Sequence, residues 1–133
     1  MWDKFSDGAR RALTWAKAEA AARDSGEITL VHILVGLCRS DSGATEVLSS
    51  HGVTLDSAIR LLPATDVDPA SLDPEPIPFS DAAKRLLVEA VRSAVTEDGL
   101  EGIVSRDLLR ALAKSESPEL VTPLAEAGLK LPT

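Results

Sequence analysis

Cysteine, histidine and aromatic residues are scarce in this chain, and their scarcity limits its chemistry. Cys38 is the only cysteine among 133 residues, which excludes an internal disulfide and a thiolate metal cluster. Its position on the apolar face of a predicted helix favours a buried small side chain over a nucleophile. His32 and His51 have no partners at metal-ligand spacing, so neither a metal nor another cofactor is expected. His32 is interpreted as structural, and His51 as the C-terminal residue of a helix.

Positively charged residues are also fewer than negatively charged ones. The chain has 14 Lys and Arg residues against 21 Asp and Glu residues, for a formal net charge of −7. Because binding of phosphate backbones needs clustered Lys and Arg, no nucleic-acid partner is expected. No apolar run approaches the ~20 residues that cross a bilayer, and the first residues lack a signal-peptide pattern. These features predict a cytoplasmic protein that does not bind membranes.

Catalytic constellations are missing as well. The pattern Gly-x-x-x-x-Gly-Lys-Ser/Thr is absent, so the chain has no phosphate-binding loop of an ATPase. Pairs of acidic residues occur at Glu97-Asp98 and at Glu116 with Glu119. They are interpreted as solvated helix ends rather than as acid/base groups. The sequence therefore predicts that the chain is not an enzyme.

An internal duplication is the strongest positive feature of the sequence. The segment Phe-Ser-Asp-Gly-Ala-Arg-Arg-Ala-Leu at residues 5–13 recurs as Phe-Ser-Asp-Ala-Ala-Lys-Arg-Leu-Leu at residues 79–87. Two further matches follow in the same order, pairing residues 32–37 with 107–112 and residues 52–55 with 128–131. A repeat of this length indicates one supersecondary unit that is present twice.

The apolar residues recur at helical spacing, which predicts an all-α fold of about four plus three helices. The first helix is expected over residues 6–24, with Gly26 as its terminator. Residues 1–133 should form one domain, with repeat one at 5–62 and repeat two at 79–133. The two repeats should form a compact bundle related by a pseudo-twofold axis, and repeat two lacks a final helix. The expected N-caps are Ser6, Thr29, Thr54, Ser80, Ser105 and Ser117.

Residues 63–78 differ in amino-acid composition from the two repeats. They contain five prolines among acidic residues and no Lys or Arg. This composition predicts an extended acidic linker between the repeats. A solvated spacer is the favoured interpretation, and contact with a basic partner protein is the alternative.

The duplicated motifs resemble the amino-terminal repeat domain of the bacterial Clp ATPases, especially the ClpC type. The similarity rests on the patterns that begin at Phe5 and Phe79, on His-Ile-Leu-Val-Gly-Leu at residues 32–37, and on Gly-Val-Thr-Leu at residues 52–55. It covers nearly the whole chain. It implies a Clp N-domain fold without ATPase modules, acting as a protein-interaction module.

The resemblance also identifies two pockets. In ClpC-type domains, a glutamate of the second helix and a nearby cap hydroxyl bind phosphorylated arginine. The matching positions here are Ser6, Val31, Ser80 and Arg106. The serines keep the hydroxyl, but Val31 and Arg106 lack the carboxylate that a guanidinium needs. The resemblance therefore implies degenerate pockets that do not bind phosphoarginine.

A surface between the starts of helices 1 and 5 receives peptides or adaptors in the family. By resemblance, Trp2, Phe5, Leu13, Phe79 and Lys84 would line it here. The alternative for both phenylalanines is a hydrophobic staple under the first helical turn. The implied partners are Clp substrates or adaptors, a Clp ATPase, or cyclic-peptide antibiotics. The chain itself is expected to be a monomer or a weak dimer.

Together, these features predict a non-enzymatic module that binds peptides, substrates or adaptors in Clp-type regulated proteolysis. The module would be either a free-standing Clp N-domain protein or the N-domain of a larger ATPase. The altered pocket residues and the absent last helix favour the free-standing form. The alternative is a small helical ligand-binding protein or enzyme unrelated to proteolysis. A DNA-binding helical repeat is disfavoured by the net charge.

Overall fold

The computed structural model describes residues 5–71, 76–97 and 103–131, with only the backbone for residues 93–97. The described residues form seven α-helices, and β structure among them is limited to two isolated bridges. The all-α prediction is therefore confirmed. Helices α1–α4 form repeat one and α5–α7 form repeat two. The helices are α1 (Asp7–Ala22), α2 (Leu30–Arg39), α3 (Gly43–Ser50), α4 (Leu55–Ile59), α5 (Asp81–Glu97), α6 (Ser105–Lys114) and α7 (Pro118–Ala127).

Two predicted helix ends are wrong. The first helix ends at Ala22, because Asp24 turns the chain with a positive φ of 52° before Gly26 is reached. The predicted cap Ser105 is instead the first residue of α6, and Val104 stands at the N-cap. Valine has no side-chain acceptor, so the carboxylate of Asp107 accepts a hydrogen bond from the Val104 N–H at 2.9 Å. The Ser105 hydroxyl is used elsewhere, as described below.

Helices α1 and α2 pack closely because Gly36 has no side chain. A Cβ atom at Gly36 would lie 2.1 Å from the Ala12 carbonyl oxygen and 3.0 Å from the Ala16 amide nitrogen. Ala12 and Ala16 are fully buried, so α1 also presents small side chains at the contact. Repeat two has Ala111 at the position of Gly36. The α5–α6 pair therefore lacks this close backbone approach.

The two repeats are joined by a pair of crossed backbone bridges. Phe5 of repeat one bridges to Ile103 of repeat two, and Phe79 of repeat two bridges to Ile28 of repeat one. The Ser6 N–H donates to the Ile103 carbonyl at 2.8 Å, and the Ser80 N–H donates to the Ile28 carbonyl at 3.0 Å. The two contacts are therefore equivalent under the pseudo-twofold relation. Each repeat begins its first helix against the other repeat.

The first part of the linker is attached to α1. Arg23 donates from Nε to the Pro63 carbonyl at 2.7 Å, and Thr65 donates from its hydroxyl to the Ala22 carbonyl at 2.8 Å. Pro69 is buried and begins a short 3-10 turn over Pro69–Ser71. These contacts attach the linker to the bundle, while most of residues 63–71 stay exposed to solvent. The acidic residue Asp73 lies outside the described residues.

A buried carboxylate joins the C-terminal parts of α1 and α2. Glu19 is 0% exposed and forms ion pairs with Arg23, the C-cap of α1, and with Arg39 on α2. The Arg39 guanidinium lies 5.1 Å from the centroid of the Trp15 ring, within the range of a cation–π contact. Removing one partner of such a buried pair leaves an uncompensated charge. The network therefore fixes the relative positions of α1 and α2.

Candidate functional site

The residues predicted to line a peptide-binding surface differ in how exposed they are. Phe79 is half-buried and packs against the core, and Lys84 is exposed one helical turn along α5. Phe5 and Leu13 are 4% and 3% exposed, so their expected role as accessible lining residues is corrected. Both side chains belong to the core cluster instead. Trp2 lies outside the described residues.

The burial of Phe5 and the half-burial of Phe79 agree with their interpretation as staples. Each residue immediately precedes the cap of a helix that begins at Asp7 or Asp81. Ser6 accepts the Ala9 N–H at 3.2 Å, and Ser80 accepts the Ala83 N–H at 3.1 Å. The Phe79 backbone is held by the crossed bridge, and its partly buried ring packs against the core. Among the predicted lining residues that the structure describes, Phe79 and Lys84 are therefore the accessible ones.

His32 and Cys38 have the structural environments that the sequence predicts. The Thr29 N–H donates to Nδ1 of His32 at 2.9 Å, which caps the start of α2. Burial, together with the charge of Arg23, lowers the pKa of His32 from 6.5 to about 4. Burial also raises the pKa of the Cys38 thiol to about 11. Neither group is therefore prepared for acid/base or nucleophilic chemistry near neutral pH.

The second repeat contains a bound carboxylate at its degenerate pocket. Oε2 of Glu119 accepts hydrogen bonds from the Ser80 hydroxyl at 2.9 Å and from the Leu30 N–H at 3.0 Å. Glu119 belongs to the first turn of α7, and Leu30 is the first residue of α2. Val31, next to Leu30, is buried and adds no polar group. We refer to Ser80, Leu30 and Glu119 as the filled pocket.

The first repeat has the equivalent place at the starts of α1, α6 and α3. The residues that correspond to Ser80, Leu30 and Glu119 are Ser6, Ser105 and Ala44. We refer to this place, together with Arg106, as the open pocket. The Ala44 N–H donates to the Ser105 hydroxyl at 3.3 Å, so α3 and α6 are in contact there. Arg106 is exposed and lies over Gly43, where a Cβ atom would be 3.0 Å from its Nε.

Two surface grooves lie beside these pockets. One, of ≈590 Å³, separates α5 from α6 and from the turn that precedes α7. Its walls include Arg85, Glu89 and Lys114, and Leu86 and Ala111 form part of its apolar floor. In repeat one the position of Glu89 is held by Trp15, whose ring Arg39 covers. The combination of Glu89 and Ala111 therefore accounts for a groove in repeat two.

The second groove, of ≈460 Å³, lies on the outer side of α1. Its lining is mostly apolar and includes Trp15 and Thr14, with Arg10, Arg11 and Asp7 at its edges. Arg11 donates from Nε to the Ser40 carbonyl at 3.3 Å, which directs it toward the start of α3. Arg11 therefore lies both at the edge of this groove and near the start of α3.

The described residues contain no group of three or more His, Cys, Asp or Glu side chains that could hold a metal ion. Among the helices in that part of the chain, none combines the length and the apolar character needed to cross a membrane.

Sequence reasoning missed two parts of the site. Glu119 was interpreted as a solvated helix end, but it binds the first backbone amide of α2. Glu119 follows Ser117 by two residues, whereas repeat one has Ala44 at the matching position. This difference was the only signal in the sequence. Trp15 was not singled out. Its signal was the lone tryptophan within an otherwise alanine-rich helix.

Comparison with known proteins gives consistent matches over nearly the whole chain. The sequence profile described as the Clp repeat (R) N-terminal domain matches residues 4–126. Uncharacterised proteins of Mycobacterium tuberculosis and Mycobacterium bovis are 33% identical over 130 residues. The match covers 95% of this chain and 48% of each relative. The chain therefore spans about half the length of these relatives.

Solved structures show the same fold. The N-terminal domain of the chaperone ClpD from Arabidopsis thaliana superposes with a TM-score of 0.75 at 22% identity, covering 98% of this chain and 89% of that domain. The Hsp104 N-terminal domain from Candida albicans gives a TM-score of 0.70 at 17% identity, covering 96% of this chain and 83% of that one. At these identities the similarity concerns the fold.

Proposed function

Because this chain belongs to the family of Clp repeat N-terminal domains, we propose that it is a non-enzymatic module of Clp-type regulated proteolysis that binds peptides, substrates or adaptors. The observation that carries the proposal is that Phe79 stays partly exposed and Lys84 fully exposed near the start of α5. A partly exposed aromatic ring at a helix start that also carries a cation suits a peptide anchor, and the crossed bridge to Ile28 holds the Phe79 backbone before a partner arrives. The same proposal places the protein in the cytoplasm, as a monomer or weak dimer.

The binding that we propose begins with burial of the Phe79 ring under an apolar residue of the partner. The groove between α5 and α6 includes Ala82, in the first turn of α5, in its lining. Lys84 and Arg85 would contact carbonyl or carboxylate groups at the edge. A cyclic-peptide antibiotic could use the same aromatic anchor. Since Phe79 is already ordered, little conformational entropy is lost on binding.

Phosphoarginine is not part of the proposed ligand set. In the filled pocket, the Ser80 hydroxyl already donates to Glu119. The neighbouring Val31 is buried and cannot pair with a guanidinium. In the open pocket, the guanidinium of Arg106 would repel that of a phosphoarginine side chain. We expect calorimetry with free phosphoarginine to detect no binding, and micromolar binding at two sites would contradict this part of the proposal.

Capture of partners from the native cytoplasm tests the main proposal. The immobilised protein should retain a Clp ATPase, an adaptor or a substrate. Phe79→Ala should weaken the affinity for the retained partner by about 30-fold, the loss typical of a hot-spot residue of ~2 kcal/mol. Val88→Ala, an exposed apolar residue further along α5, is the matched control and should leave binding unchanged.

The same variants separate an anchor from a staple. If Phe79 is an anchor, Phe79→Ala weakens binding while the melting temperature changes by only a few degrees. A large loss of stability with no specific loss of binding would assign Phe79 to the core alone. Equal effects of Phe79→Ala and Val88→Ala on binding would contradict a localised surface at the start of α5.

A further inference from the structure

We propose that the open pocket binds an aspartate or glutamate side chain of a partner protein. This inference rests on the proposed interaction function and names the chemistry of one partner group. The open pocket lies at the start of α1, whereas the surface around Phe79 lies at the start of α5. The two contacts can therefore be tested separately.

The filled pocket supplies the first argument, because it shows which ligand this arrangement accepts. One carboxylate oxygen of Glu119 accepts from a serine hydroxyl and from the first backbone N–H of a helix. The serine is also the cap of its own helix, since Ser80 accepts the Ala83 N–H. A cap hydroxyl can do both because it accepts with its oxygen and donates its hydrogen.

The open pocket repeats the donors and lacks the acceptor. Ser6 accepts the Ala9 N–H just as Ser80 accepts that of Ala83. Within the described residues, the Ser6 hydroxyl hydrogen has no acceptor that corresponds to Glu119. The equivalent residue of α3 is Ala44, whose methyl group cannot accept a hydrogen bond. No carboxylate of α3 therefore takes the place in repeat one that Glu119 takes in repeat two.

Arginine side chains give the open pocket a positive charge that the filled pocket lacks. Arg106 occupies the position of Val31, is exposed, and has no ion-pair partner among the described residues. Arg11 is also exposed, and its guanidinium is 3.8 Å from the site of a Cβ atom on Gly8. The Ser42 Cβ is 3.2 Å from that same site, so Arg11 and the start of α3 are neighbours.

Three acidic residues lie near the open pocket. Asp107, directly after Arg106, is fully buried, accepts the Val104 N–H and pairs with Arg110. Asp7 in the first turn of α1 and Asp41 before α3 are exposed, and neither pairs with Arg11 or Arg106 in the described structure. The whole chain carries a formal net charge of −7. A positive pocket on an acidic protein selects one acidic group of a partner, while the rest of the surface repels acidic chains. A guanidinium also pairs with a carboxylate through two parallel hydrogen bonds.

Fluorescence anisotropy with the 133-residue chain tests the inference. The probe is a fluorescein-labelled peptide of alternating glutamate and glycine, and its control has glutamine in place of glutamate. We expect the glutamate peptide to bind at low salt and the glutamine peptide not to bind. Arg106→Glu and Arg11→Glu should each weaken binding by at least about tenfold, as expected for loss of a charge-assisted contact.

The control variant is Arg60→Glu, which makes the same change of net charge at an exposed residue after α4. It should change the affinity less than about threefold, a difference below 1 kcal/mol. Equal weakening by Arg60→Glu would overturn the inference, because it would mean that net charge alone attracts the peptide. Equal binding of the glutamine peptide would overturn it as well. Tighter binding of a matching phosphoserine peptide by tenfold or more would assign the pocket to phosphate instead.

The two proposals fail in different ways. If the glutamate peptide does not bind while partner capture still depends on Phe79, the acidic-ligand inference is wrong and the proposed function stands. If the peptide binds through Arg106 while no partner is captured through Phe79, the proposed function is wrong and the pocket stands. Circular dichroism of each variant establishes that the helices are intact in both experiments.

Discussion

Substitution of Gly36 by alanine should separate α1 from α2. The new Cβ atom would lie 2.1 Å from the Ala12 carbonyl oxygen and 3.0 Å from the Ala16 amide nitrogen. Both neighbours are backbone atoms of a 16-residue helix, so neither can rotate away as a side chain would. Ordinary contacts between such atoms require more than 3 Å. The helices must therefore move apart by about 1 Å or more, which loosens their packing against each other.

The cost should exceed that of ordinary overpacking, which is about 1–3 kcal/mol. Shifting a whole helix also weakens the contacts of the buried alanines and leucines between α1 and α2. The buried ion pair of Glu19 with Arg39 spans the same two helices and would be stretched. We expect Gly36→Ala to lower the free energy of unfolding by about 3 kcal/mol or more, a large part of the stability of a domain of this size.

Urea unfolding followed by circular dichroism measures this effect directly. Gly26→Ala is the matched control, because a Cβ atom at Gly26 would meet no atom within 4 Å. It should be neutral or stabilise the protein by up to about 1 kcal/mol through the unfolded state. The reasoning about α1 and α2 is refuted if Gly36→Ala unfolds within 0.5 kcal/mol of the unmodified protein, a margin set by the usual spread of neutral substitutions.

Three other expectations follow from polar and ionisable groups. Glu119→Ala should lower stability by about 1–3 kcal/mol because it leaves the Leu30 N–H without its acceptor, whereas Glu116→Ala, on an exposed residue, should be neutral. The pKa of His32 is lowered to about 4 in the fold, so the unfolded chain binds its proton first as the pH falls from 6.5 to 4. His32 should therefore reduce stability over that window by up to about 3 kcal/mol, and an NMR titration of the assigned His32 ring with a midpoint near 6.5 would contradict this. Cys38 should react with a thiol reagent at pH 8 only when the chain unfolds, because its pKa is about 11.

The fold was largely predictable because helix caps and apolar stripes at helical spacing occur in both repeats. Caps such as Ser6 and Ser80, and the apolar stripe of α2, depend on residues close in sequence. The two errors arose where the backbone or a neighbouring helix decided the outcome. Asp24 adopts a left-handed conformation that the nearby Gly26 suits better. At Ser105, the contact with α3 uses a hydroxyl that local spacing assigns to a cap.

The candidate site was less predictable because it is made of contacts between distant segments. Glu119 reaches Leu30 across 89 positions, and no local pattern marks that contact. Leu13 has the helical spacing of a residue on the inward face of α1, where it is buried, and only the family resemblance assigned it to the binding surface. The sequence does carry the difference between Ala44 and Glu119. Only comparison of the two pockets in three dimensions shows that this difference removes a carboxylate from the open pocket.

Through the crossed bridges, each repeat supplies a backbone acceptor to the first helix of the other repeat. The start of α1 is completed by the Ile103 carbonyl, and the start of α5 by the Ile28 carbonyl. A cut in the linker would therefore yield two fragments that each expose an unpaired backbone edge and half of an apolar core. Neither fragment should fold alone, but the two should reassemble when mixed. The domain is thus a candidate for a split reporter, whose signal depends on fragment complementation.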